Sequence, residues 1–566
     1  MWPQNYTPVA QSIGWSAAGA SVPMLVLLFF LAVWRRPAWV SAVASLAAAT
    51  IVAWLLYGMP LVSIVAAASY GAAFGLLPIG WITFNAILLY RITLETGQFE
   101  VIKSSLSSLT TDRRLQALLI AFAFGAFIEG AAGSGVPVAV GAAMLTGMGF
   151  GRLQAAGTCL LANTAPVAFG AIGTPILTLA ITTGLPISLL SSATGRICAP
   201  LSLCVPAYLT VLVAGWKGLK GALPAALICG VSFAAVQLAV SNLVGPQLTD
   251  ILASLVAMAS LVLLFRVWQP ADHSLFAWAE AASGTPASAG DAGHRAPSGR
   301  PHQTSLEPPV GLRSAEVWHA WAPYMLLAGC VLLWGFQPVR SLLVTTSASF
   351  RWPALHNQVL QMPPVVAAPV PYAAQYRFDW LASPGTACLV ASILGAAFAR
   401  LSPQRFCRVF AGTMKQMFLP LVTIASVLAL AFLMNYCGAT ATLGLAFAAT
   451  GRLFPYFSAM LGWMGVFLTG SDASCNALFG NLQVVTARRL GLSPILMASA
   501  NSAGGVMGKM ISVQSIAVAA AATGMHSSEE AQLFRFTFWH SLLLASAIGL
   551  LTTFYAYVIP AFIRGQ

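Results

Sequence analysis

The sequence predicts an all-α polytopic membrane protein. Roughly 12 to 14 transmembrane helices are expected, in two weakly related and inverted repeats with broken helices and re-entrant, hairpin-like segments. Three observations carry this. Charged residues are 7% of 566 and apolar residues 58%, where a soluble domain has about 25% charged residues. Apolar runs long enough to span a bilayer recur, as at 15–34, 39–57, 222–240, 251–266, 320–336, 418–436 and 538–562. Two glycine-rich motifs also occur twice, at nearly one offset: "FIEGAAGSG" at Phe127 with "FLTGSDASC" at Phe467, and "NTAPVAFG" at Asn163 with "NSAGGVMG" at Asn501.

The N-terminal half covers residues 1–268 and holds the first repeat motif at 124–180. Its first fourteen residues contain no Lys or Arg, whereas Arg35 and Arg36 follow the first apolar run. The N-terminus is therefore expected outside and Arg35 inside. The start also lacks the basic region of a signal peptide, so the first span is expected to be kept. Residues 269–318 contain "AASGTPASAGDAGHRAPSGRPHQ". That composition cannot bury a core and predicts a disordered cytoplasmic linker. The C-terminal half, 319–566, carries an extramembrane loop at 340–383, rich in proline and aromatics, and the second repeat motif at 464–520. Arg114 precedes the first motif and Arg452 the second. The charges around them place the two copies in opposite orientations, a pattern of secondary transporters.

The net charge of +13 does not mark a nucleic-acid binder. The basic residues sit at the ends of apolar runs, not interleaved with aromatics on a solvated face. The nine cysteines stand singly, with no CxxC and no metal-ligand spacing, and read as buried free thiols. His540, inside an apolar run, reads as a satisfied structural histidine.

Of fourteen acids, twelve fall in loops or at span ends by sequence: Glu95, Glu100, Asp112, Asp250, Asp272, Glu280, Asp291, Glu307, Glu316, Asp379, Glu529 and Glu530. Glu129 and Asp472 alone fall inside membrane-depth motifs, in corresponding arms of the repeats. A charge at the bilayer centre costs roughly 2.5–3.5 kcal/mol even on the lenient insertion scale. An acid kept there pairs, takes up a proton or lines a wet path, so Glu129 and Asp472 are the candidate proton-coupling residues. A helix-end acid reaching for the interface is the alternative.

Lys509 is the sole charge between Arg489 and Glu529, and Arg196 sits in "SSATGRICAPLS". Either is suited to hold a substrate carboxylate. The alternatives are an ion pair of Lys509 with Asp472 and an interfacial anchor at Arg196. Asn163, Thr164, Asn501 and Ser502 supply amide and hydroxyl dipoles, and Ser471, Asn476 and Gln514 complete the candidate substrate ligands. Gly130, Gly133, Gly135, Gly170, Gly504, Gly505 and Gly508 are read as backbone breaks or hinges that free polar groups at membrane depth. Close helix packing by small residues is the competing reading. Two acids and Lys509 in one cavity leave one net negative charge, which protonation of Glu129 removes. Proton and anionic substrate would then favour each other's binding.

The stretches "WPQNYTP", "TGQFEVIKSSL", "FGAFIEGAAGSGVPVA", "NTAPVAFGAIGTPI", "LTGSDASCNALFGNLQ" and "NSAGGVMGKMISVQSIAVA" resemble the bacterial lactate/glycolate permease family over nearly the whole chain. The resemblance implies a proton symporter that imports lactate and related small 2-hydroxymonocarboxylates such as glycolate across the bacterial inner membrane. More remotely the chain is similar to the ion-transporter superfamily, whose members use re-entrant hairpins. Sodium coupling, with Asn163, Asn501 and backbone carbonyls as ligands, or transport of another organic anion, is the alternative. A membrane-embedded enzyme or receptor is the alternative of another class. No HExxH, GxSxG or paired acid–His arrangement supports an enzyme, and no soluble sensor domain supports a receptor. The expected partners are the substrate, a proton and the lipid bilayer. A homodimer is allowed, and no metal, cofactor or nucleic acid is expected.

Overall fold

The computed structural model describes residues 1–133, 135–276 and 314–562. Ten of the described helices are long and apolar enough to cross a membrane, or eleven when the bent pair Arg152–Ala162 and Val167–Thr183 counts as one span. The chain is an all-α polytopic membrane protein. The count falls below the 12 to 14 read from the sequence for two reasons. The 57-residue helix Ile187–Leu243 is one of the ten but passes twice. Several other apolar stretches are short arms that go only part of the way across.

The N-terminal half opens with α1 (Ile13–Leu28), α2 (Ala38–Ile51), α3 (Leu61–Phe74) and α4 (Trp81–Glu95). Next comes a helical hairpin of α5 (Arg113–Ala131) and α6 (Val136–Gly147). Its tip turns at Gly133 and Gly135, with φ of 61° and 79°, a conformation open to glycine at no steric cost. Then come α7 (Arg152–Ala162), a break, and α8 (Gly170–Thr183). The long helix α9 (Ile187–Leu243) folds back on itself at Gly215, φ 68°. Its two limbs run antiparallel, since Ser191 Oγ donates to the Ser241 carbonyl (2.8 Å) and Ser202 Oγ to Gln237 Oε1 (2.8 Å). α10 (Thr249–Val267) closes the half.

In the second half, α11 (Ser314–Gly335) and α12 (Pro384–Phe398) pack with α4, and α13 (Pro403–Cys437) lies against α2 and α3. A second hairpin follows, α14 (Phe454–Thr469) and α15 (Asp472–Leu490), then α16 (Pro494–Lys509), α17 (Val513–Thr523) and α18 (Ser527–Tyr557). The second hairpin tip is written in its sequence. Gly470, φ 71°, ends α14, and the Ser471 hydroxyl caps α15 by accepting from the Ser474 N–H (3.3 Å).

α18 shows that the hairpins enter from opposite ends. It has 31 residues and is about 46 Å long at ~1.5 Å per residue. Near its start, Glu529 lines a cavity with Gly151 and Arg152, at the base of the first hairpin. At its end, the Tyr557 hydroxyl donates to the carbonyl of Arg452, at the base of the second (2.9 Å). The packing is reciprocal as well. α6 of the first hairpin packs on α17, and α15 of the second packs on α8.

The loop at 340–383 is ordered. Strand β2 (Ala348–Arg351) pairs with β5 (Gln375–Phe378), while β1 (Trp2–Pro3) joins β3 (Val359–Gln361), which pairs with β4 (Val370–Pro371). Gln4 ties this cap to the end of α13 through the Asn435 and Tyr436 carbonyls. Seven of the nine cysteines are buried and all are free; Cys204 and Cys407 are exposed. His540 Nδ1 meets the Tyr208 hydroxyl, and its ring packs on Phe536.

Two sequence readings change here. First, the ordered chain reaches into both ends of the 269–318 linker. Residues 273–276 are helical, and α11 begins at Ser314. The reason is Arg114, which is fully buried and needs two carboxylates. It takes Asp112 (2.6 Å) and Asp272 (2.9 Å), lies 3.9 Å from the Phe276 ring, and holds the Asp272 carboxyl below the usual range by hydrogen bonding. The expected disorder at 277–313 lies outside the described residues.

Second, Gly504, Gly505 and Gly508 do not interrupt their helix, which runs unbroken to Lys509. They permit close approach instead. A Cβ on Gly504 would stand 2.1 Å from the Ala459 carbonyl oxygen, and one on Gly508 2.1 Å from that of Trp463. Both contacts are with α14, as for small-residue helix pairs in membranes. Gly508→Ala is therefore expected to destabilise the protein by ~1–3 kcal/mol, the usual cost of overpacking. Thermal unfolding in detergent reads this, and an unchanged melting temperature would contradict it.

Candidate functional site

The break between α7 and α8 makes the centre of the molecule. Pro166 has no N–H to continue the α7 ladder, and the Thr164 hydroxyl donates back to the Leu161 carbonyl (2.7 Å). The helix bends by 60°. Ala171, Ile172 and Gly173 then all have positive φ, from 45° to 72°. Two non-glycine residues in that region mark stored strain, which clusters at working sites.

Glu129 packs against this break. A Cβ on Gly170 would come within 2.7 Å of Glu129 Oε1. Lys509 Nζ donates to that same Oε1 at 2.6 Å, and Asn163 Nδ2 donates to Oε2 at 3.2 Å. Both partners are buried, with side chains 11% and 3% exposed. The pair joins the first hairpin to the end of α16, across the two repeats. Lys509 thus pairs with Glu129 and not with Asp472, the alternative left open by the sequence. Beside the pair is a small cleft lined by Asn163, Thr164, Lys509 and Ser515 together with Val138, Leu160, Val506 and Met510. It has no room for a water molecule, so a substrate would have to widen it.

Asp472 heads a second polar cluster. Its Oδ2 accepts from the Ser502 hydroxyl (2.6 Å) and from Asn476 Nδ2 (3.4 Å). Asn501 donates to Asn476 Oδ1 (2.9 Å), Gln483 donates to Asn501 Oδ1 (3.1 Å), and Asn476 reaches the Pro175 carbonyl on α8 (3.2 Å). Ser502, Gly505 and Lys509 follow one face of α16 at helical spacing. A Cβ on Gly505 would stand 2.5 Å from Asp472 Oδ1. One helix face therefore carries the partners of both acids.

The other sequence candidates fall as follows. Gly130 lies in α5 with its Cα against Asp250, where an added Cβ would meet the Asp250 Cβ at 2.9 Å. Gln514 is exposed and packs on the second hairpin tip at Gly470. Asn501 and Asn163, aligned by sequence, are not equivalent in place. Asn163 is at a helix break, whereas Asn501 lies inside α16, eight residues before its end. Arg196 is outside the centre. Its guanidinium takes Asn242 Oδ1 (3.0 Å) and the Phe562 carbonyl and ring, so it anchors the C-terminal segment and does not face the cleft.

Sequence reasoning missed Asp250. It stands immediately before the apolar run 251–266, so it reads as a span-end acid, yet it is 1% exposed. The cause is depth. α10 starts beside Gly130, and Pro246 just before it touches the break at Gly173.

Removing one partner of a buried ion pair costs ~3–5 kcal/mol, whereas replacing both by apolar groups is near neutral. Glu129→Leu should destabilise by that amount, and adding Lys509→Met should restore most of it, as read by denaturant unfolding in detergent. Single and double variants equally stable with the parent would contradict the pairing.

Comparisons with known proteins extend the picture beyond geometry. The family model described as L-lactate permease matches residues 16–559. An L-lactate permease of Bacillus subtilis (strain 168) is 43% identical, over 97% of this chain and 98% of that one. An L-lactate permease of Escherichia coli (strain K12) is 42% identical over 99% of each chain. The glycolate permease GlcA of the same strain is 43% identical over 98% of each.

Proposed function

The chain belongs to the L-lactate permease family, and from that premise we propose that it is a secondary transporter importing lactate and glycolate by proton symport across the bacterial inner membrane. The observation that carries the coupling is the buried Lys509–Glu129 pair beside a small cleft. Lys509 has one internal carboxylate to satisfy it. A monocarboxylate substrate offers a second, and the two compete. While Glu129 is ionised it holds Lys509 and the substrate is repelled. When Glu129 takes a proton it becomes a weak partner, and Lys509 turns to the substrate carboxylate. One proton and one anion then enter together, and the site gains no net charge. Asn163, Thr164 and Ser515 offer hydrogen bonds for a 2-hydroxyl, and Val138, Leu160, Val506 and Met510 an apolar wall for a methyl group.

The inverted hairpins give this site two symmetric routes of access, as expected for alternating access around a central site. The Asp472 cluster supports the second hairpin about two helical turns before Lys509 along α16. Its Oδ1 meets no hydrogen-bond donor among the described residues. That observation favours a second reading, a sodium ion there, and a sodium gradient belongs in the test.

Purified protein in liposomes should accumulate labelled lactate under an inward proton gradient and not under a sodium gradient alone. Accumulation driven only by sodium would overturn the proton reading. A charge-assisted hydrogen bond contributes about 1.5–3 kcal/mol, so Lys509→Ala should raise the lactate Kd by roughly 10- to 150-fold. Parent-like binding by that variant would remove Lys509 from the site. Glu129→Gln, a permanent mimic of the protonated acid, should bind lactate with an affinity independent of pH and lose uphill accumulation. Normal pH-driven accumulation in that variant would rule Glu129 out as the coupling acid.

A further inference from the structure

We propose that Asp250 is a second proton-holding acid of the transport cycle, which keeps its proton while Glu129 is paired with Lys509 and passes it on when the pair opens. The inference rests on the proton-symport reading above.

Asp250 is 1% exposed, and neither carboxylate oxygen has a hydrogen-bond partner among the described residues. Gln237 stands beside it, but its amide is turned to the Ala165 carbonyl (3.2 Å) and its own carbonyl accepts from Ser202. An ionised carboxylate so placed is removed from bulk solvent with only the Gln237 amide near it, and such a group neutralises. Glu129 and Asp472 differ, since each has two donors. Three buried acids therefore share the centre with one buried cation, and Asp250 is the one built to be neutral.

Its position is also right. Gly130, next to Glu129, is the residue against which Asp250 packs, and only a glycine there lets the two backbones meet. The groups facing Asp250 are few. α5 presents Glu129, α9 presents Cys198 and Gln237, and Lys509 of α16 acts through space. The stretch Ala117–Phe124 of α5 and the start of α8 present no charge.

The step balances. Asp250 COOH and Glu129 COO⁻ become Asp250 COO⁻ and Glu129 COOH, and Lys509 is released with the sum of charges unchanged. The substrate anion then binds Lys509, and a proton from water restores Asp250. Each turn consumes one proton and one anion.

The test uses the full chain in liposomes with labelled lactate. Asp250→Asn should lose at least tenfold of the accumulation driven by a pH gradient, and counterflow between equal pH values should fall with it, while membrane insertion and the melting temperature in detergent stay as in the parent. Asp250→Glu, which restores an acid, should recover accumulation. Accumulation in Asp250→Asn equal to the parent would overturn the proposal and leave proton symport standing. No pH-driven accumulation in the parent would instead overturn proton symport, and this proposal with it. If Asp250→Asn fails to fold, infrared spectra of the unmutated chain and of Asp250→Glu, both with ¹³C-labelled aspartate, decide the matter. A protonated aspartyl C=O band at neutral pH that disappears in Asp250→Glu is expected, and a spectrum without such a band would refute the assignment.

Discussion

The architecture depends on one buried ion pair, Lys509 with Glu129. Two charges removed from water at membrane depth are tolerable only when each satisfies the other. That need fixes where the first hairpin lies against α16, because Glu129 is on one and Lys509 on the other. It also ties the two repeats together. The strained backbone at Ala171–Gly173 then has a purpose, since it brings the α7–α8 break close enough for Gly170 to touch Glu129 and for Asn163 to bond it.

Much else follows from holding that pair in place. The end of α16 must sit deep, so the helix is pressed onto α14 through Gly504 and Gly508. The face that ends in Lys509 begins with Ser502, so the same helix presents a donor to Asp472. A movement of α16 relative to the first hairpin would be felt at both acids. The hairpins enter from opposite ends of α18.

Local signals in the sequence wrote much of this plainly. Gly133, Gly135 and Gly170 are legible as backbone breaks, whereas Ser471, read as a substrate ligand, proves to cap α15. Glu129 and Asp472 stood out as acids in long uncharged runs. What stayed hidden depends on packing between distant segments. Whether Lys509 met Asp472 or Glu129 is a question of which helix face lies where, and no spacing decides it. Arg196 looks isolated in sequence but meets Asn242 and the C-terminal segment in space. The glycines of α16 could be hinges or contact points, and only the neighbouring helix distinguishes the two. Asp250 looked like a span end because sequence reports distance from the end of an apolar run and not depth in the protein.

In the proposed cycle substrate binding and proton uptake are one event, because a single lysine is exchanged between two carboxylates. Calorimetry measures this directly. Lactate is titrated into the purified protein at one pH in buffers of different ionisation enthalpy, and the slope of heat against that enthalpy counts protons. The account predicts uptake of about one proton per lactate bound. A slope of zero, with lactate bound normally, would contradict it.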